Sequence, residues 1–268
     1  MTLWQIVMMG IVQGVTEFLP VSSSGHLVIL PYLLGWPEAP LAVDTLLHLG
    51  TLVAVLVYFR RELWRLVVAA WESLRRHNLG SPDARLAWGL LLGTLPGALL
   101  GYLLEDQFER LFGMPRAAAA FLLLTAALLF TADYFARRER TLDNLNWGDA
   151  LLIGLGQALA IIPGISRSGT TMSVALFLGF KREDAARFSF LLSIPIILGS
   201  GLYQLLKLTH GGLPGTSAGA LLAGFLAAAL TGYAAIALLL ALIRQRGLRP
   251  FALYCALLGL LVLTGVLG

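Results

Sequence analysis

The sequence predicts an all-α polytopic integral membrane protein: one membrane domain, residues 1–268, with six transmembrane helices and two re-entrant helix pairs arranged as an inverted-topology repeat. Three observations lead there. The chain is 58% hydrophobic and 13% charged, where a soluble domain carries about a quarter charged residues. Two of its long apolar runs are broken by polar stretches, "FLPVSSSGH" (18–26) and "PGISRSGTT" (163–171). Its basic residues gather in alternate loops, the pattern that marks the cytoplasmic side.

Taken in order, residues 3–34 form the first interrupted run, each half too short to cross a bilayer core that needs about 20 apolar residues. Uninterrupted spans follow at 41–59, 86–104 and 117–135. The second interrupted run covers 150–178. Three more spans read at 188–208, 219–243 and 251–267. Leu and Ala dominate and ten-residue alternation is absent, so the spans are helices and not barrel strands. Non-helical backbone at membrane depth survives only inside protein or beside a water-filled cavity, so the two interrupted runs read as re-entrant pairs. The opening "MTLWQIVMMGIVQG" lacks the basic leader and small-residue site of a removable signal peptide. Cys255 is the only cysteine, which excludes an intrachain disulfide.

Placing the 60–85 loop in the cytoplasm sets the sidedness. Loops 136–149, 179–187 and 244–250 then share that face, and fifteen of the nineteen Lys and Arg fall there. Arg110, Arg116 and Lys207 fall outside, and Arg167 within the membrane. The net charge of +4 therefore reads as loop bias and not as a nucleic-acid surface. Both termini are expected outside, with the first re-entrant pair entering from outside and the second from inside.

The two broken runs also resemble each other. Gly10, Gln13, Ser24 and Gly25 match Gly154, Gln157, Ser168 and Gly169 at a constant offset of 144. Three spans separate the copies, so approximate repeats 1–135 and 136–268 have opposite orientation. Inverted repeats with broken helices place a binding site at the repeat interface.

Ionisable residues within membrane spans are costly and mark function. Asp133 lies near the end of its span beside "ARRER" and reads as an interfacial partner of a neighbouring Arg. Asp44 and His48, four apart, share a helix face and read as a supporting hydrogen-bonded pair. Glu17, His26 and Arg167 remain. The planar fork of Arg167 suits phosphate. Ser166, Ser168, Thr170 and Thr171 surround it, Gly164 and Gly169 allow close backbone approach, and the helix expected after it would point N–H groups at the break. The rival reading is a structural ion pair between Arg167 and Glu17. The first break brings a carboxylate, three serines and an imidazole within ten residues. His26 lies three residues after Ser23 and two after Ser24, close enough in a tight turn to serve as base. Glu17 would orient His26, act as base itself or hold a divalent cation.

On "QGVTEFLPVSSSGH" and "PGISRSGTT" the chain resembles the bacterial undecaprenyl-diphosphate phosphatase family of the bacitracin-resistance type, and the resemblance extends over nearly the whole sequence. The resemblance implies removal of the terminal phosphate from undecaprenyl diphosphate in the bacterial inner membrane. It implies a site open to the outer face, with Ser23 as nucleophile, His26 as its acid–base partner, and Glu17 and Arg167 as further catalytic residues. Gln13, Ser22, Ser24, Ser166, Ser168, Gly169 and Thr171 are expected around the diphosphate. The family pattern there is Glu or Gln, three residues, then Glu, which Gln13 and Glu17 match; only members with two acids could share metal duties between them, so here a two-carboxylate metal site is incomplete. Mg²⁺ or Ca²⁺ on Glu17 is the one cofactor expectation. Glu38, Glu105, Asp106 and Glu109 read as solvated loop residues, recruitment of such a cation being the alternative. The expected partners are a polyprenyl diphosphate, membrane lipids and, as an open alternative, a second copy in a homodimer. The competing function is an inverted-repeat transporter or flippase for a phosphorylated lipid or other anionic substrate.

Overall fold

A computed structural model describes residues 1–104, 107, 111, 113–211 and 217–266, with the side chains of 208–211 undescribed. Glu105, Asp106, Glu109 and Arg110 lie outside the described residues. The helices there are α1 (Leu3–Phe18), α2 (Ser23–Leu34), α3 (Leu41–Tyr58), α4 (Arg60–Arg76), α5 (Pro82–Leu103), α6 (Pro115–Phe135), α7 (Trp147–Leu159), α8 (Arg167–Phe177), α9 (Arg182–Gly211), α10 (Ala218–Arg246) and α11 (Arg249–Leu263). Five of them, α3, α5, α6, α9 and α10, are long and apolar enough to cross a membrane. The protein is an integral membrane protein. Leucines four apart stand exposed on the outer faces, Leu91, Leu95 and Leu99 on α5 and Leu222, Leu226 and Leu230 on α10, where lipid is their natural solvent.

Two segments differ in detail from the expected layout. The 60–85 segment contains a helix, α4, whose Trp64, Val67, Trp71 and Leu74 form an exposed apolar stripe beside Arg60, Arg61, Arg65, Arg75 and Arg76. Those apolar positions recur at helical spacing, so the helix is amphipathic. The sixth expected span is only 15 residues of helix, Arg249–Leu263, about 22 Å at 1.5 Å per residue.

Glycine contacts fix the directions of the helices. A methyl group at Gly10 of α1 would stand 2.4 Å from the Gly224 carbonyl oxygen of α10, and one at Gly14 would meet Ala228 and Gly232. So α1 and α10 run the same way. On α10, Gly224 also packs on Leu47 and Gly232 on Thr51 and Ala54, so α3 shares that direction. On α5, Gly89, Gly93, Gly97 and Gly101 form one face against Leu145, Ala150, Gln157 and Ile161; α5 and α7 therefore run together, and Leu192 and Ile196 bring α9 in the same sense. Leu49 meets Gly201 and Phe59 meets Phe190, so α3 and α9 are antiparallel. It follows that α1 and α7 point in opposite directions. Small residues at these crossings let backbones approach closely enough for dispersion to hold helices together where lipid removes the hydrophobic drive.

The basic end is clamped by Asp133, fully buried at the end of α6. Its carboxylate receives Arg182 at 2.7 Å, Arg249 at 3.3 Å and Arg138 at 3.5 Å. These contacts tie α6, α9 and α11 together.

Candidate active site

Each break has a local cause. Pro20 disfavours helix at Leu19, and α1 stops at Phe18. Ser22, with φ 69, caps α2 by accepting a hydrogen bond from the Gly25 N–H. In the second break Gly164 adopts φ 95, and Ser166 caps α8 by accepting from the Gly169 N–H. The two caps stand 144 residues apart, and so do Ser23 and Arg167, the first residues of α2 and α8. The serine pairs repeat as well: Ser22 Oγ is 3.3 Å from Ser24 Oγ, and Ser166 Oγ is 3.3 Å from Ser168 Oγ. Helix α8 begins at Arg167, so Ser168, Gly169, Thr170 and Thr171 belong to its first turns and not to the break.

The breaks touch. Ser168 Oγ donates to the Leu19 carbonyl at 3.1 Å. Thr125 of α6 braces the second break, donating to the Gly164 carbonyl at 2.9 Å and accepting from the Ser166 N–H at 3.1 Å. Between them lies Glu17, 5% exposed. Arg167 Nη2 donates to its Oε1 at 2.9 Å, and Ser23 Oγ donates to its Oε2 at 2.5 Å. Gln13 Nε2 donates to the same Oε2 at 2.9 Å. Ser23 from one break and Arg167 from the other thus share one carboxylate. That arrangement contains the Arg167–Glu17 ion pair and the serine–arginine meeting together.

These groups close the polar end of a cavity of about 570 Å³. Glu17, Ser23, Ser24, His48 and Arg167 face it; its walls are mostly apolar, from Gly97, Ala98 and Tyr102 of α5, Ile161 and Ile165 of the second break, and Ile196 and Tyr203 of α9, with Thr94, Ser200 and Gln204 among them. The wall residues come from the ends of α5 and α9 remote from the basic cluster around Asp133.

Most of the rest of the expected hydroxyl row serves the protein's own backbone; Thr170, also buried, has no hydrogen-bond partner for its Oγ1 among the described residues. Ser22, Ser166 and Ser168 are almost fully buried in the contacts above. Thr171 Oγ1 is 2.8 Å from the Arg167 carbonyl and 2.7 Å from Ser189 Oγ, which steadies the helix start that carries the guanidinium. Gly169 is buried beside Ser166, where a methyl group would come within 2.9 Å of its Cβ.

His26 does not reach Ser23 in this arrangement. Its Nδ1 is 2.7 Å from the Ser22 carbonyl and its Nε2 is 2.7 Å from the Tyr254 hydroxyl of α11. The imidazole on the cavity is His48, whose Nε2 lies 3.9 Å from Glu17 Oε2. Sequence reasoning left it as a support because its partner on α1 is distant along the chain; its i,i+4 spacing from Asp44 was the only local signal. Glu17, with Arg167 on one oxygen and Ser23 and Gln13 on the other, does not fit as the ligand of a resident Mg²⁺ or Ca²⁺. Among the described residues no three His, Cys, Asp or Glu are grouped to hold a metal ion.

The chain matches the family described as bacitracin resistance protein BacA over residues 6–261. It is 42% identical to the undecaprenyl-diphosphatase of Pelobacter propionicus over 273 aligned positions that span the whole of both chains. It is 45% identical to that of Geobacter sulfurreducens over 98% of each chain. With that of Desulforudis audaxviator it shares 46% identity over 96% of this chain and 95% of the relative. With its two broken helix pairs meeting on Glu17 and its full-length likeness to these enzymes, the chain belongs to the BacA bacitracin resistance family.

Proposed function

We infer that this protein is an undecaprenyl-diphosphatase: it hydrolyses undecaprenyl diphosphate to undecaprenyl phosphate and inorganic phosphate, returning the lipid carrier to cell-wall synthesis. The observation that carries the reading is the single carboxylate holding Ser23 and Arg167 at the end of an apolar-walled cavity. A diphosphate head needs the polar end and an isoprenoid tail needs the walls. Ser23 is the nucleophile and Glu17 its base. As Oγ bonds to the terminal phosphorus and the bond to the lipid phosphate breaks, the Ser23 proton passes to Glu17 Oε2. The neutral carboxyl then loosens its hold on Arg167. The guanidinium turns its charge to the phosphoryl oxygens as they come through the transition state, where fixed charge contributes most. Water then hydrolyses the phosphoserine.

The same reading gives the membrane arrangement. The five long helices and α11 cross, and α1–α2 and α7–α8 are re-entrant pairs of opposite orientation, each helix about 17–24 Å long at 1.5 Å per residue. The opposed directions of α1 and α7 and the matched caps support an inverted repeat of residues 1–135 and 136–268. The basic end faces the cytoplasm and the cavity faces the outer side of the inner membrane.

The test is phosphate release from undecaprenyl or farnesyl diphosphate by purified protein. Wild type should release it, and Ser23→Ala should lose at least about 10²-fold in kcat while remaining folded. No release by folded wild-type protein overturns the reading.

A further inference from the structure

We propose that His48 is a positioning residue that carries the proton away from the Ser23–Glu17 pair. The inference rests on the phosphatase reading above and deepens it. His48 Nδ1 is 2.9 Å from the Asp44 carbonyl oxygen. A carbonyl only accepts, so Nδ1 carries the hydrogen, and the neutral ring leaves a lone pair on Nε2. That lone pair faces Glu17 Oε2 at 3.9 Å, the oxygen to which Ser23 donates. The Asp44 carboxylate lies 3.5 Å from Nδ1, placed to balance a charge on the ring. The side chain is 28% exposed and lines the cavity, so a proton taken from Glu17 has a way out. His26 offers none of this: both its nitrogens are engaged, and its ring lies parallel to Tyr254 with centroids 5.6 Å apart.

The step balances. The Ser23 O–H breaks as Oγ–P forms; the proton moves to Glu17 Oε2 and then to His48 Nε2, directly after a small ring rotation or through one water. Glu17 is again a carboxylate and can deprotonate the water that attacks the phosphoserine. His48 releases its proton through the cavity to the departing phosphate or to water. Among the described residues, the charged groups that act on His48 are Asp44 on its own helix, Glu17 on α1 and Arg167 on α8. Tyr102 of α5 and Tyr203 of α9 share the cavity. The only charged residues of α10, Arg244 and Arg246, lie at its far end.

The experiment measures phosphate release from farnesyl diphosphate between about pH 5 and 9 for wild type, His48→Gln and Asp44→Asn, with thermal unfolding of each. His48→Gln should lose about 10²-fold in kcat, with KM changed less than about threefold, and should lose the acid limb of the profile. Asp44→Asn, which removes the charge that favours imidazolium, should move that limb to lower pH. His48→Gln keeping more than half the wild-type kcat with an unchanged profile overturns the assignment. If His48→Gln fails to fold, an unmoved acid limb in Asp44→Asn does the same. An inactive wild type overturns both this assignment and the phosphatase reading, whereas an active wild type with unaltered variants overturns this assignment alone.

Discussion

Glu17 is held from three sides before any substrate arrives. Its buried carboxylate is tolerable because Arg167 neutralises it and Ser23 and Gln13 satisfy its second oxygen; removing one partner of such a pair leaves a charge that costs about 3–5 kcal/mol. The same ion pair occupies the cation that a phosphate needs. Glu17→Gln should therefore abolish turnover and yet bind inorganic diphosphate more tightly, by roughly tenfold, a gain of the order of one charge–charge interaction. Calorimetric titration of the variant checks this, and weaker binding than wild type would count against it. Arg167→Lys keeps the charge and loses the planar fork. It should fold and lose about 10²-fold or more in kcat, measured by phosphate release.

The helices work by how closely they approach. Gly89, Gly93, Gly97 and Gly101 give α5 a bare face toward α7, and Leu91, Leu95 and Leu99 give it a lipid face. At the tightest point a methyl group on Gly154 would stand 2.2 Å from the Gly93 carbonyl oxygen. Backbone cannot yield as a side chain does, so Gly154→Ala should cost about 1–3 kcal/mol. Its melting temperature should fall clearly, while Gly219→Ala, with nothing within 4 Å, should change stability by less than about 0.5 kcal/mol. Because α7 leads into the break that positions Arg167, activity should fall along with stability. Thermal unfolding in detergent separates the two variants.

At the scale of the whole molecule, charge and cavity lie at opposite ends. Asp133 gathers Arg138, Arg182 and Arg249 at the end where α4 also presents its arginines. Reading that end as cytoplasmic puts Glu38 outside and Asn78 inside. In a Cys255→Ala background, a cysteine at position 38 should react with an impermeant thiol reagent on intact cells. A cysteine at position 78 should react only after the membrane is opened. The reverse pattern would invert the protein and place the cavity on the cytoplasmic side.

Much of this was legible from residues alone. Composition showed a membrane protein, the hydrophobic runs located α3, α5, α6 and α10 to within a few residues and the body of α9 without its charged first turns, and the two polar interruptions located the breaks. Helix α4 was missed because a charged loop and an amphipathic helix share a composition and differ only in the spacing of Trp64, Val67, Trp71 and Leu74. The hydroxyls of Ser166, Ser168 and Thr171 pointed toward an anion by type, and the fold spends them on caps and backbone carbonyls. Local order along the chain thus determined which segments are helices and which residues carry chemistry, since period, proline and capping act over a few residues. Only the tertiary structure decided that Glu17 joins Ser23 to Arg167, and that His48 and not His26 faces the cavity. Those pairings bridge distant stretches of chain, and their geometry is set by how glycine-faced helices cross, which no local pattern encodes.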